Sequence, residues 1–346
     1  MTYLFMCHYG HLLEFLVALF CYLWLWPQTF PHASTLSLQW IWKVVAFNLA
    51  CEALFFGGWH WMMYSGAHVS KNLKAHKYNP KEQYADAGDG HLAREIFFTT
   101  LGWLQSSAFM ITMMHLWASG RVPYLANFWV HPAWNVGSVL FVTCKFAART
   151  TAAPASKPLA LTQILRKTLN PNRADWREIH FYWCHRAMHP WFPLPSGGGD
   201  KSTTFFDPGR FIYKWVHALH HKSVNPGPFS GLSMTPFEHF FYYTCTLLPL
   251  LTPLHPMHFL YAKFHADIAP VGGHDGYAFP GGGGDFHWLH HDKFDCNYGV
   301  PLFDFDWLFG SWVDYKCYRD AGSDLAKGRA LTYKRFGWLG LREKAA

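Results

Sequence analysis

The chain is poor in charged residues. Only 15% of its 346 residues are Asp, Glu, Lys or Arg, whereas soluble domains average about 25%. Its net charge of +7 is not gathered into a basic stripe with interleaved aromatic residues, which is the pattern of nucleic-acid binding. The composition therefore argues against an ordinary soluble domain and against a nucleic-acid partner.

Two common motif classes are also missing. The eight cysteines are scattered and form no CxxC pair, which excludes a zinc ribbon and a thioredoxin-type redox motif. We expect all of them to be reduced and structural. The glycine runs at 197–199 and 281–284 lack the Lys-Ser/Thr of a phosphate-binding P-loop, so we interpret both as ordinary loops.

Apolar residues are abundant and occur in long stretches. The chain is 51% hydrophobic and 19% aromatic, as expected for a protein that contacts lipid and its interface. Each of four stretches has about the 20 residues that a membrane-spanning helix needs. They are Leu12–Phe30, Leu38–Tyr64, Ile96–Trp117 and Phe128–Phe146. The first lacks a basic leader and a cleavage site, so we interpret it as an anchor.

A fifth apolar stretch, Phe240–Phe264, contains three prolines. Proline kinks or breaks a helix because it removes a backbone hydrogen bond. Histidine motifs on both sides of this stretch must meet on one side of the membrane. We therefore predict a re-entrant helical hairpin here.

The basic residues predict the orientation. Residues 30–42 contain no Lys or Arg, residues 65–95 contain five, and many more follow Phe146. Because cytoplasmic loops are rich in Lys and Arg, both termini and everything after Phe146 are predicted to be cytoplasmic. The predicted fold is all-α: an integral membrane protein with a membrane anchor (1–150), a catalytic region (151–320) in a cytoplasmic helical cap, and a basic cytoplasmic tail (321–346).

Histidine is abundant, with 23 copies, and eight of them form three motifs. One HxxxH is weak evidence, but two HxxHH motifs coincide by chance in fewer than about one chain in a hundred. Residues at i, i+3 and i+4 share a helix face, so each motif can aim its imidazoles at one point. Imidazole suits iron, zinc and copper. The candidate ligands are His185 and His189; His217, His220 and His221; and His287, His290 and His291.

Neighbouring residues could complete this site. Spacing alone leaves open whether His274 is a ligand. His239 and His265 are possible additional ligands. Polar residues next to ligands often orient the imidazole N–H groups, and they are also common in plain loops. Our candidates for that outer layer are Glu238, Asp285 and Asn297.

These motifs resemble the fatty acid hydroxylase and sterol desaturase superfamily. The resemblance runs from about Trp176 to Trp312, and the order and spacing of its segments agree. The segments are Tyr182–His189, Tyr213–Lys222, Ser230–His239, His274–Tyr277, Phe286–His291, Asn297–Gly299 and Asp306–Gly310. The first 150 residues are similar only in being membrane spans.

The resemblance implies two iron ions, dioxygen as co-substrate and electrons from an external carrier such as cytochrome b5. It also implies that His274 is a ligand. In much of the family a histidine precedes the Pro-x-Glu of the third segment, where this chain has Thr235. The corresponding ligand is then absent, replaced by water or supplied by His239.

The sequence thus predicts an oxidoreductase that hydroxylates or desaturates an unactivated C–H bond of a membrane lipid, a sterol or a fatty acyl chain, in lipid biosynthesis. The expected location in a eukaryote is the endoplasmic reticulum. One alternative is a non-catalytic relative that binds lipid, which Thr235 keeps open. The other is a metal transporter, which would need polar ligands at bilayer depth. Which lipid, which carbon and which oligomeric state are left open.

Overall fold

The computed structural model describes residues 12–65, 76–78, 90–126, 173–191, 206–278, 284–300 and 305–336. Over these ranges the regular structure is helical, apart from one isolated β-bridge between Lys77 and Tyr277. The all-α prediction is confirmed.

Three helices are long and apolar enough to cross a membrane: α1 (Leu12–His32), α2 (Leu38–Tyr64) and α3 (His91–Ala118). They agree in position and length with three of the predicted spans, while the fourth, Phe128–Phe146, lies outside the described residues. Helix α3 starts five residues before the predicted Ile96. Its first turns contain His91 and Glu95, which are buried and hydrogen-bonded to each other, so they extend the helix although they are polar.

The second half of the chain forms shorter helices. They are α4 (Arg173–Ala187), α5 (Pro208–Ile212), α6 (Pro236–Tyr243), α7 (Pro256–Gly273), α8 (Gly284–Lys293), α9 (Phe305–Leu308), α10 (Tyr315–Asp320) and α11 (Leu325–Phe336). A π-helical turn, Tyr213–His217, continues α5. Short 3-10 turns occur at His220–Lys222, Pro228–Leu232 and Thr244–Leu250.

The proline-rich stretch folds back on itself. After α6 the chain makes the 3-10 turn that contains Pro249, and α7 starts at Pro256 in its first turn, where proline is tolerated. The Tyr242 hydroxyl donates to the Ala266 carbonyl over 2.6 Å, so the two arms lie side by side. The hairpin is as predicted, and its depth in a membrane stays a prediction.

The spans and the hairpin share one apolar core. Trp40, Phe56, Trp103, Phe259 and Phe264 are all fully buried in it. Leucines and tryptophans on the outer faces of α1 and α2, such as Leu23 and Trp42, are instead more than half exposed. An apolar outer surface around an apolar core is what a lipid-facing bundle requires.

The cap has its own small core, formed by Leu289, Cys296, Val313 and Tyr318. Helix α11 belongs to the predicted tail, and it packs against α10. Its Tyr333 hydroxyl donates to the carbonyls of Asp306 and Trp307. The predicted domain boundaries at 150 and 320 stay predictions. Six cysteines lie in the described residues, and all six are free thiols.

Candidate metal centre

All nine imidazoles predicted as ligands converge in two adjacent groups. Within each group, one nitrogen of every imidazole lies within 4.8 Å of the others. Group 1 consists of His185, His189, His217, His221 and His290, and group 2 of His220, His274, His287 and His291. Every one of these side chains is buried.

Local helix geometry explains how two groups arise from three motifs. Neighbouring residues on a helix point about 100° apart, because a turn takes 3.6 residues. His220 and His221 therefore enter different groups, and so do His290 and His291. Each His-His pair thus contributes to both groups and holds them side by side.

The distances between the Nε2 atoms fit shared ions. Two nitrogens at right angles on one ion, each about 2.1 Å from it, lie about 3.0 Å apart. In group 1 the Nε2 atoms of His185 and His217 are 3.0 Å apart. In group 2 the Nε2 atom of His274 lies 3.0 Å from those of both His287 and His291. This spacing matches ligands around a common centre.

Backbone carbonyls fix the tautomer of three imidazoles. Nδ1 of His185 donates to the Tyr298 carbonyl over 2.5 Å, that of His290 to the Cys296 carbonyl over 2.6 Å, and that of His274 to the Pro270 carbonyl over 2.8 Å. A carbonyl oxygen can only accept, so the proton is on Nδ1. The lone pair on each Nε2 therefore faces into the site, as metal ligation requires.

A carboxyl group orients a fourth imidazole. Oε1 of Glu238 lies 2.7 Å from Nδ1 of His217. Burial raises the pKa of Glu238 well above its usual range and lowers that of His217 to about 3, so the dry site favours the neutral form of both. A cation at Nε2 would favour the carboxylate of Glu238. Glu238 thus contacts the imidazole of a ligand candidate, as predicted for a residue of the outer layer.

Burial also keeps the other imidazoles neutral. It lowers the pKa of His274 to about 4 and those of the remaining ligand candidates well below 6.5, and for most of them the neighbouring imidazoles add to the effect. A neutral imidazole binds a metal, and a protonated one does not. The site is therefore ready for ligation at neutral pH.

Aromatic rings surround the imidazoles. The Phe181 ring lies 5.0 Å from the His185 ring and 6.3 Å from the His287 ring, so it contacts both groups. Three further rings, those of Tyr213, Phe294 and Tyr298, lie 4.8–5.6 Å from the rings of His189 or His221. These rings restrict water around the two groups.

The other predicted outer-layer residues act differently. Asn297 bonds to the backbone of Phe286 and Val313 and so braces the segment around α8. Asp285 accepts from the backbone N–H of Phe286. None of these hydrogen bonds reaches an imidazole.

Sequence reasoning missed Asp306 and the three carbonyls. Buried Asp306 accepts from the backbone N–H groups of Tyr298 and Gly299 and from the Ser311 hydroxyl over 2.6–2.8 Å. It therefore holds the Tyr298 carbonyl against His185. The carbonyls give no signal in a sequence, whereas Asp306 lies within one of the resembling segments.

The two possible additional ligands lie outside both groups. Nε2 of His239 is 2.9 Å from the Leu232 carbonyl. His265 lies between Glu14 of α1, at 2.5 Å from Nδ1, and Arg177 of α4, at 3.0 Å from Nε2. His265 thus ties the first span to the catalytic helices.

Thr235 has a structural role in this chain. Its hydroxyl accepts from the backbone N–H of Glu238, which caps α6, and donates to the Val216 carbonyl over 3.0 Å. Thr235 therefore anchors the helix that carries Glu238 next to the turn that carries His217.

Comparison with known proteins agrees with this geometry. Residues 175–311 match the fatty acid hydroxylase family. A Delta(7)-sterol-C5(6)-desaturase of Nicotiana tabacum is 31% identical over 151 residues, which is 40% of this chain and 46% of that protein. A very-long-chain aldehyde decarbonylase of Oryza sativa subsp. japonica is 30% identical over 149 residues, 39% of this chain and 49% of that protein.

A methylsterol monooxygenase 2-2 of Arabidopsis thaliana is 28% identical over 149 residues, again 39% of this chain and 49% of that protein. The matched region spans about half the length of these curated relatives or less. No solved structure gives a significant match to the chain.

Proposed function

We propose, from the match of residues 175–311 to the fatty acid hydroxylase family, that the protein is a membrane-bound, di-iron, dioxygen-dependent oxidoreductase. It would hydroxylate or desaturate an unactivated C–H bond of a sterol or fatty acyl lipid. Electrons would come from a separate carrier such as cytochrome b5. The two ions would be held by His185, His189, His217, His221 and His290 and by His220, His274, His287 and His291.

One observation carries the proposal. His185, His290 and His274 have their Nδ1 protons fixed by carbonyl oxygens, so their Nε2 lone pairs point at other imidazoles across a dry site. Buried polar atoms normally have a hydrogen-bond partner, and converging lone pairs have none unless a cation lies between them. The donor set therefore fits a resident metal ion in each group.

The number of ligands in group 1 favours iron over structural zinc. Structural zinc sites are closed by four ligands, whereas group 1 offers five imidazoles. When bound, the ions would supply the activation of dioxygen that breaking an unactivated C–H bond requires.

The side chains around the groups would control access and orientation. Phe181 and the aromatic rings beside His189 and His221 restrict water, which protects a reactive oxidant from side reactions. The half-buried Phe181 ring contacts both groups, so an apolar chain or ring that packs on it would lie near both ions. The three apolar helices α1–α3 would keep this site next to its lipid supply.

Metal content tests the proposal first. We expect about two iron ions per chain in detergent-purified, iron-reconstituted protein by elemental analysis, and their loss in a His290→Ala/His291→Ala variant. His180→Ala is the matched control, because His180 lies on α4 near His185 but bonds to Thr244 and Cys184. It should retain both ions. A parent protein without stoichiometric metal would contradict the proposal.

Turnover then separates an enzyme from a lipid-binding relative. With an electron donor and dioxygen, the parent should convert a sterol or fatty acyl substrate, and the double variant should not. Two bound ions without turnover on any lipid class would favour the non-catalytic alternative and make Thr235→His the next variant to test.

A further inference from the structure

We propose that Glu95, on the membrane-spanning helix α3, is a positioning residue for the metal centre, because it fixes the segment that follows the His217-His220-His221 motif. This inference rests on the proposed function, since it assumes that these imidazoles bind metal. Glu95 lies outside the matched region 175–311.

The first argument is the set of donors around Glu95. Its side chain is fully buried. Oε1 accepts from the Ser223 hydroxyl over 2.5 Å and from the Ser230 hydroxyl over 2.9 Å, and it lies 2.8 Å from Nε2 of His91. Ser223 is only two residues beyond His221. One carboxyl oxygen therefore holds both ends of the 223–230 segment.

The second argument is that one face of α3 packs against this segment and against α6. Thr99, one turn after Glu95, donates to the Phe229 carbonyl over 2.7 Å. Gly102 comes next on that face, and a Cβ there would lie 2.6 Å from Nε2 of His239, so α3 approaches α6 closely. Residues at i, i+4 and i+7 share one side of a helix, and on α3 that side faces the catalytic half.

The third argument is the effect on the ligands. His221 belongs to group 1 and His220 to group 2, so a shift of the segment after them would disturb both ion sites at once. In the described part of the chain, Nδ1 of His220 and Nδ1 of His221 have no hydrogen-bond partner. These two imidazoles therefore depend on their backbone for orientation, unlike His185, His274 and His290. Glu95 supplies the anchor for that backbone.

An ionisable residue in an apolar span is costly, and such residues usually have a function. Glu52 on α2 is a second buried carboxylate in the bundle, and it accepts from Thr100 of α3 over 2.7 Å. This bond joins two spans and does not involve the 223–230 segment. Glu52 is thus a matched control for the loss of a buried, hydrogen-bonded carboxylate.

The test measures metal affinity, because this affinity can be determined without an assay of enzyme turnover. Cobalt(II) would be titrated into metal-free, full-length protein against a chelator, with its visible spectrum as a second readout. Removing an outer-layer partner typically weakens metal binding 10–100-fold. We expect a loss of about this size for Glu95→Ala, a smaller loss for Glu95→Gln, whose amide oxygen still accepts from both serines, and an affinity within about threefold of the parent for Glu52→Ala.

If Glu95→Ala does not fold, Ser223→Ala provides the second variant. It keeps the carboxylate with its His91 and Ser230 partners. It releases the end of the segment near His221 and removes the 3.4 Å contact of Arg94 with the Ser223 hydroxyl. We expect weaker cobalt binding and an altered cobalt spectrum, with a melting temperature close to that of Glu52→Ala.

The outcomes separate this inference from the proposed function. A parent that binds no stoichiometric cobalt would overturn both. A parent that binds two ions, with Glu95→Ala or Ser223→Ala as tight as Glu52→Ala, would overturn only the role of Glu95. A Glu95→Gln loss as large as that of Glu95→Ala would overturn the hydrogen-bond explanation as well.

Discussion

Single residues decide which imidazole nitrogen faces the site. Histidine motifs in a sequence show how many imidazoles are available but not which nitrogen carries the proton. In this protein the choice is made by backbone carbonyls and by Glu238. Eight of the nine converging imidazoles could therefore be predicted from the spacing of the histidines, and His274 from the family resemblance. Most of the outer layer could not be predicted, since a carbonyl has no identity in the sequence.

Asp306 allows a residue-scale prediction. Asp306→Ala removes the acceptor for the N–H groups of Tyr298 and Gly299, so the Tyr298 carbonyl loses its fixed position against His185. We expect metal binding to weaken about 10–100-fold. Two buried N–H groups left without a partner should also cost about 1–3 kcal/mol each in unfolding free energy. Chelator competition and thermal unfolding measure the two effects.

The control for this variant is Asp285→Ala. Burial raises the pKa of Asp285, and its carboxyl oxygen accepts from the backbone N–H of Phe286 at the start of α8. It should lose some helix stability and keep its metal affinity. Equal metal loss in the two aspartate variants would show that the Tyr298 carbonyl is not what orients His185.

At the scale of elements, apolar length and proline were reliable guides. The bounds of α2 agree with the prediction from Leu38 to Tyr64, and the prolines of the fifth apolar stretch break it into α6 and α7. The start of α3 was predicted too late, because the polar residues His91 and Glu95 look like the end of an apolar segment. Their partners, Ser223 and Ser230, are far away in sequence, and pattern reasoning could not find them.

The close approach of α3 and α6 gives an element-scale prediction. In Gly102→Ala the new Cβ would lie 2.6 Å from Nε2 of His239, a buried imidazole that bonds to the Leu232 carbonyl. Overpacking of this kind costs about 1–3 kcal/mol, so the melting temperature in detergent should fall.

Gly58→Ala is the control for the helix propensity of alanine. Nothing lies within 4 Å of a Cβ at Gly58 on α2, and alanine favours a helix by about 0.8–1.0 kcal/mol over glycine. This variant should melt at the parent's temperature or above it. If Gly102→Ala is equally stable, α3 and α6 are not in tight contact.

The whole molecule joins a lipid-facing bundle to a dry cap with many titratable groups. Composition and charge predicted the bundle, and the histidine motifs predicted the cap. What they could not predict is the coupling between the two parts, because it depends on single buried contacts such as Glu14 with His265 and Glu95 with Ser223. These contacts tie α1 and α3 to the segments around the two histidine groups.

Acid sensitivity is the prediction that belongs to the whole molecule. An imidazole has an ordinary pKa of about 6.5, and burial lowers it to about 3 in His217 and about 4 in His274, with the other seven also well below 6.5. The folded state thus binds fewer protons than the unfolded chain as pH falls below about 6.5, so the stability of the metal-free protein is lost from there down to about pH 4. The raised pKa values of Glu238, Asp285 and Asp306 act in the opposite direction, but these are three groups against nine.

We therefore expect the metal-free protein in detergent to melt about 5–10 °C lower at pH 5 than at pH 7.5, which corresponds to a few kcal/mol for a chain of this size. The metal-loaded protein should melt higher at pH 7.5, because ions that bind only the folded state stabilise it. The difference in melting temperature between the metal-loaded and the metal-free protein should shrink toward pH 5, since protons compete with metal for the same Nε2 atoms. A melting temperature that does not change with pH in the metal-free protein would mean that the nine imidazoles are not held neutral in the folded cap, and that the site is more open to water than the structure indicates.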